Sequence, residues 1–94
     1  MRAYVLLKVQ PKETDRIMSD LMALDSTPIK RVCMIHGPYD CIVELESRSL
    51  QAINDVVERI RVIDGVSDTL TCLVMRTHEA QRRRKSVLET MTGG

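Results

Sequence analysis

The sequence predicts an α+β fold, a four-stranded antiparallel sheet carrying two helices on one face, in the order β-α-β-β-α-β. Three observations predict it. Apolar residues alternate at period two near both ends of the chain, and two internal stretches repeat at helical spacing. Between them, Val32 to Leu45 sets His36-Gly37-Pro38-Tyr39-Asp40 between two apolar runs. Gly and Pro reverse the chain there, so the segment reads as a hairpin.

Each element follows in order. Ala3 to Gln10 (AYVLLKVQ) places Val5, Leu7 and Val9 on one face of a strand that Pro11 ends. From Lys12 to Leu24, Ile17, Met18, Leu21, Met22 and Leu24 form one helical stripe, with Asp15, Arg16, Ser19 and Asp20 turned to water. Asp25-Ser26-Thr27-Pro28 stops that helix, because the residue before proline is pushed out of the α region. A second strand spans Ile29 to His36. The third, Asp40 to Glu46, has Cys41, Val43 and Leu45 on one face and Ile42, Glu44 and Glu46 on the other. Ser47 to Ser49 supply capping hydroxyls before Leu50, Ile53, Val56, Val57 and Ile60, the stripe of a second helix. Asp64-Gly65 is a turn with Gly65 as left-handed terminator, and Val66 to Thr77 reads as the last strand.

Two helical crossovers and one hairpin give the split βαβ, or ferredoxin-like, arrangement. The sheet has a second apolar face. Tyr4 and Leu6 oppose Val5 and Leu7, Val32 and Met34 oppose Cys33 and Ile35, and Leu73 and Met75 oppose Cys72 and Val74. Helices cover only one of these faces. The pattern therefore predicts that sheet packs on sheet in a homodimer, an association of the dimeric α/β barrel type.

Ninety-four residues make one domain, enough to bury about 60–65% of the unfolded surface, and oligomerisation would add to that. The chain has no Phe or Trp and only Tyr4 and Tyr39, so the core is aliphatic, with six Met and three Cys. Fourteen basic against 13 acidic residues leave a net charge of +1, too little to gather nucleic acid or an anionic membrane. No basic leader or membrane-length apolar run is visible, which with the cysteine usage points to the cytoplasm. Cys33, Cys41 and Cys72 are odd in number, lack C-x-x-C spacing and fall in apolar strands. They read as buried thiols, not as metal ligands or a redox pair.

The joints of this frame carry Gly37-Pro38-Tyr39-Asp40 in the hairpin, Ile63-Asp64-Gly65-Val66 after the second helix, and Thr69-Leu70-Thr71 in the last strand. With its G-x-Y-D-type turn, I-x-G-V turn and T-x-T pair in this order, the chain resembles the effector-binding (RAM) domain of the Lrp/AsnC regulators. The resemblance covers residues 3 to 77. Those regulators carry a helix-turn-helix domain before this one. Here the first strand starts at residue 3, so the expectation is the stand-alone form, without direct DNA binding. The resemblance implies dimers assembling into a ring or octamer, and an amino acid effector held between dimers. It also implies a DNA-binding regulator as partner and no enzymatic activity or cofactor.

An amino acid needs donors for its carboxylate and acceptors for its ammonium. Thr69 and Thr71 share one face of their strand, and their hydroxyls serve either group. Main-chain N–H groups around Gly37 and Tyr39 suit the carboxylate, with Gly37 admitting a ligand close to the backbone. Asp40 suits the ammonium. By the resemblance, Gly37, Tyr39, Asp40, Thr69 and Thr71 form the candidate ligand site. Each also has a purely structural reading. Gly37 and Pro38 are turn residues, Asp40 can bond turn N–H groups, Tyr39 suits an interface, and threonines favour strands.

Two other functions remain open. A small enzyme of the dimeric α+β barrel type would use His36 and Asp40 in acid-base work. A nucleic-acid-associated protein would use the tail, residues 78 to 94, where Arg82-Arg83-Arg84-Lys85 precede a stripe of Val87, Leu88 and Met91. A metal site from His36, Cys33 and Cys41 lacks ligand spacing. The ACT domain shares the topology, but this chain has Gln10-Pro11-Lys12-Glu13 where that family places a Gly-rich turn.

Overall fold

The structure, a computed structural model, describes residues 1–24 and 28–80. The expected stop at Asp25-Ser26-Thr27 and the basic tail from Arg82 to Met91 lie outside the described residues. The elements are β1 (Arg2–Val9), α1 (Thr14–Met22), β2 (Ile29–Met34), β3 (Cys41–Glu46), α2 (Leu50–Arg61) and β4 (Val66–Leu73). All strand pairs are antiparallel and their order is β2-β3-β1-β4, the expected ferredoxin-like α+β plan.

Strand parity builds the core. Ala3, Val5 and Leu7 of β1 register with Leu45, Val43 and Cys41 of β3, and all six are fully buried. Ile17 and Leu21 of α1 and Ile53, Val56, Val57 and Ile60 of α2 close over them. Burying one such aliphatic side chain contributes about 1.5–3 kcal/mol. Among the described residues no charged or polar side chain joins this core, which is wholly aliphatic apart from the Cys41 thiol.

Capping and turn chemistry set the joints. Ser49 Oγ accepts from Ala52 N at 3.1 Å and so satisfies one of the free donors at the start of α2. Gly65 has φ +96, and its carbonyl accepts from Gln10 N at 2.8 Å, tying the α2–β4 turn to the end of β1. Arg16 clamps the same corner. Its guanidinium pairs with Glu13 at 2.8 Å and Asp20 at 2.7 Å, and also donates to the carbonyl of Asp64.

Several expectations are corrected. The first helix stops at Met22, not Leu24, and Met22 is left 65% exposed. Leu50 likewise lies at the exposed start of α2. The last strand ends at Leu73 instead of Thr77 because β1 offers nothing to pair with beyond Val74, whose N–H reaches Arg2 O at 2.9 Å. Of the three free cysteines only Cys41 is buried. Cys33 and Cys72 have the opposite parity and register with Ile42 and Tyr4, on the face that no helix covers.

That helix-free face carries a continuous apolar row across all four strands: Leu70, Leu6, Ile42 and Cys33. Beside it lie Cys72 and Tyr4, then Glu44 paired with Arg31 at 2.9 Å. The face is thus apolar along one row and mixed along the next.

Candidate functional site

The hairpin after β2 is closed by Ile35 N donating to Asp40 O at 2.9 Å, which leaves His36, Gly37, Pro38 and Tyr39 as the loop. Asp40 then bonds β1 twice. Its N–H donates to Leu7 O at 2.8 Å, and its Oδ2 accepts from Val9 N at 2.9 Å. The β1–β3 ladder ends at Leu7 and Cys41, so Val9 has no strand partner on that side. The carboxylate supplies the missing acceptor and fixes the hairpin to the sheet, its partner being a strand N–H of β1 instead of the turn N–H groups expected.

Lys8 holds the loop from the helix-free side. Its Nζ donates to Pro38 O at 3.0 Å and lies 6.0 Å from the centre of the Tyr39 ring. Gly37 does not adopt a left-handed φ, and a Cβ built on it meets nothing within 4 Å. Neither backbone conformation nor packing demands glycine at this position. What the missing side chain leaves is bare, approachable backbone.

Thr69 and Thr71 sit elsewhere. They register with Leu7 and Val5, on the helix-covered face of β4, which is an edge strand. Val74 and Arg2 form a hydrogen-bonded pair, so alternation along the antiparallel ladder turns the N–H and C=O of Thr69 and Thr71 to the open edge. The Thr69 N–H is taken by Asp68 Oδ1 at 2.9 Å, so the peptide groups turned to this border are the Thr69 carbonyl and the N–H and carbonyl of Thr71. Within one chain the five candidate residues form two groups, the hairpin Gly37, Tyr39 and Asp40, and the β4 pair Thr69 and Thr71.

A β-bulge separates these groups. The β1–β4 register shifts between Lys8 and Val9, leaving Ser67 as the extra residue, with its Oγ donating to Lys8 O at 3.2 Å. Next to the bulge an open depression of about 300 Å³ is lined by Arg61, Val66, Ser67, Asp68 and Thr69. Arg61 escapes sequence reasoning because it belongs to a helix and meets β4 only through tertiary packing.

Among the described residues no three His, Cys, Asp or Glu lie close enough to hold a metal ion. Burial and the nearby Asp40 charge push the Cys41 thiol up from its ordinary value. No helix among the described residues is long and apolar enough to cross a membrane.

A four-stranded layer with both helices on one side and polar groups gathered at its joints defines a small α+β domain of the ferredoxin-like plan. The Lrp/AsnC ligand binding domain matches residues 2–84, and the chain belongs to that family. It is 29% identical over 79 residues to the HTH-type transcriptional regulator FL11 of Pyrococcus abyssi, a match covering 84% of this chain and 51% of that protein. A shorter match, 42% identical over 48 residues, is to homocitrate synthase of Sulfurisphaera tokodaii and covers 51% of this chain and 10% of the enzyme. The chain thus spans about half of the regulator and a tenth of the synthase. Among solved structures, TTHA0845 of Thermus thermophilus superposes with a TM-score of 0.75 at 24% identity, covering 84% of this chain and 98% of that one. AsnC of E. coli superposes with a TM-score of 0.73 at 19% identity, covering 87% of this chain and 55% of that one. These likenesses establish the fold.

Proposed function

We propose that this chain is a non-enzymatic sensing and assembly module, which binds an amino acid or similar small metabolite and modulates transcription through a DNA-binding partner. The observation that carries the reading is the apolar row Leu70, Leu6, Ile42 and Cys33 on the helix-free face. A second copy laid face to face would cover it and form a homodimer. The ligand site then lies between such dimers, with the hairpin residues Gly37, Tyr39 and Asp40 and the β4 pair Thr69 and Thr71 as its contacts. The ligand then acts by binding one assembly better than another. Light scattering with and without each of the common amino acids tests this. A dimer or larger species whose mass shifts with one of them supports it. A monomer at micromolar concentration, or an assembly indifferent to all of them, overturns it.

The synthase match favours a second reading, in which the module acts on a biosynthetic enzyme instead of a DNA-binding regulator. Co-purification with an enzyme whose rate changes on adding the module would favour it over the first.

A further inference from the structure

We infer that Arg61 is the carboxylate anchor of the ligand site, and that the ligand is a small zwitterion whose carboxylate lies in the depression between the end of α2 and the start of β4. The inference rests on the sensing reading above and adds a residue that neither the hairpin nor the Thr69-Thr71 pair supplies.

Four observations carry it. The depression holds about 300 Å³, the lower end of the range for small-molecule sites, about 300–1,000 Å³. Its lining has one cation, Arg61, one anion, Asp68, and two hydroxyl residues, Ser67 and Thr69, around a single Val66. That composition suits two opposite charges joined by a short carbon frame. The Arg61 guanidinium is only loosely engaged. Its ion pair with Glu58 is 3.6 Å long, and the two side chains are 55% and 71% exposed. An exposed pair of this kind is worth little, so a ligand carboxylate taking both prongs of the guanidinium displaces it readily.

Arg61 offsets the partial negative end of α2, which by itself disfavours a carboxylate, and Asp68 and Ser67 of the lining suit the ammonium. Asp68 Oδ1 already accepts from Thr69 N at 2.9 Å, so the carboxylate is held at the lip of the depression with its second oxygen available to an ammonium. Ser67 is committed to Lys8 O through its hydroxyl hydrogen and keeps its lone pairs. The Thr69 hydroxyl lies on the α2 side, where it can donate to the same carboxylate as Arg61. The site is open to solvent, which fits a pocket that a second copy completes.

Titration calorimetry on the full chain with each of the common L-amino acids finds the tightest ligand, and the amine lacking its carboxylate is the control. The expected result is that Arg61→Ala weakens binding on the order of 10 to 100-fold, the loss of a charge-assisted hydrogen bond. Arg61→Lys falls between, because an ammonium lacks the fork. The amine should bind the wild-type chain no better than the amino acid binds Arg61→Ala. Glu58→Gln, which releases Arg61, should bind more tightly, and unchanged or weaker binding in it overturns the anchor if Arg61→Ala proves poorly folded. Unchanged affinity in Arg61→Ala, or an amine that binds as well as the amino acid, overturns the anchor and leaves the sensor standing. Failure of every amino acid to bind the wild-type chain overturns both.

Discussion

The carboxylate of Asp40 accepts a hydrogen bond from the backbone N–H of Val9 across 2.9 Å, joining the β2–β3 hairpin to the end of the central strand β1. This bond stands in for a ladder rung where β3 has run out of residues. The same residue is thus a structural tie and a candidate ligand contact, and its two roles can be separated.

Replacing Asp40 by Ala leaves Val9 N without its acceptor and should cost about 1–3 kcal/mol. In a domain of this size that lowers Tm by about 4–8 °C for each kcal/mol. Asp40→Asn keeps an acceptor oxygen and should recover most of the loss. Thermal melts of the two variants check the tie. If Asp40 also meets a ligand ammonium, Asp40→Asn should fold normally and still bind an amino acid more weakly.

Gly37 makes the opposite case. With open space around it and no left-handed φ, Gly37→Ala should leave Tm unchanged or raise it slightly, because the unfolded chain loses freedom. A methyl group there would nevertheless stand in the way of a ligand lying against the loop. A variant as stable as wild type with reduced amino acid affinity would place the ligand on this backbone. Unaltered affinity would remove Gly37 from the site.

Gly65 is glycine for conformation and for space. At φ +96 a side chain is strained, and a Cβ would lie 2.8 Å from an Arg16 guanidinium nitrogen and 3.0 Å from Ile17 Cδ1. Gly65→Ala should therefore destabilise by about 1–3 kcal/mol in denaturant titration. Removing the guanidinium with Arg16→Ala should relieve only part of this, since Ile17 is fully buried and has nowhere to move.

How much of this is legible in the sequence depends on whether one residue's neighbours are local. The period of two in Ala3, Val5 and Leu7, the cap at Ser49 and the turn at Gly65 are decided within a few residues, and all are found as expected. The ends of β2 and β4 are not. Val74 and Met75 continue an apolar pattern, but the strand stops because β1 starts at Arg2 and offers no further partner. The exposure of Cys33 and Cys72 also depends on which face the helices choose. The division of the five candidate residues between hairpin and β4 edge needs the order β2-β3-β1-β4, as does the approach of Arg61 to Thr69.

The helix-free face yields a prediction about assembly. Leu6 and Ile42 are register partners at the centre of the apolar row. Leu6→Lys or Ile42→Lys puts a charge where two sheets would meet while leaving the helix-covered core intact. Each should reduce the mass seen by light scattering, with helical and strand content by circular dichroism preserved. Unchanged mass in both variants would take this face out of the assembly.

The cysteines join stability, pH and assembly in one measurement. Burial and the Asp40 charge raise the Cys41 pKa, so its thiolate forms at lower pH in the unfolded chain than in the folded one. Its contribution to stability is full below the ordinary thiol pKa of about 8.5 and is lost as pH rises through the higher folded value. Cys41→Ala should flatten that alkaline decline, at the expense of a small cavity in the core. Cys33 and Cys72 are exposed in the single chain and should react with a thiol reagent at rates ordinary for surface cysteines. Packing of sheet on sheet would bury both and slow them without denaturant, whereas Leu6→Lys would restore their reactivity and leave Cys41 protected. The same reagent therefore reports on the core through Cys41 and on the sheet face through Cys33 and Cys72. Slow reaction of all three in the wild type, with only the latter two released by Leu6→Lys, is the expected outcome. Fast reaction of Cys33 and Cys72 in the wild-type assembly would mean that its copies meet along some other surface.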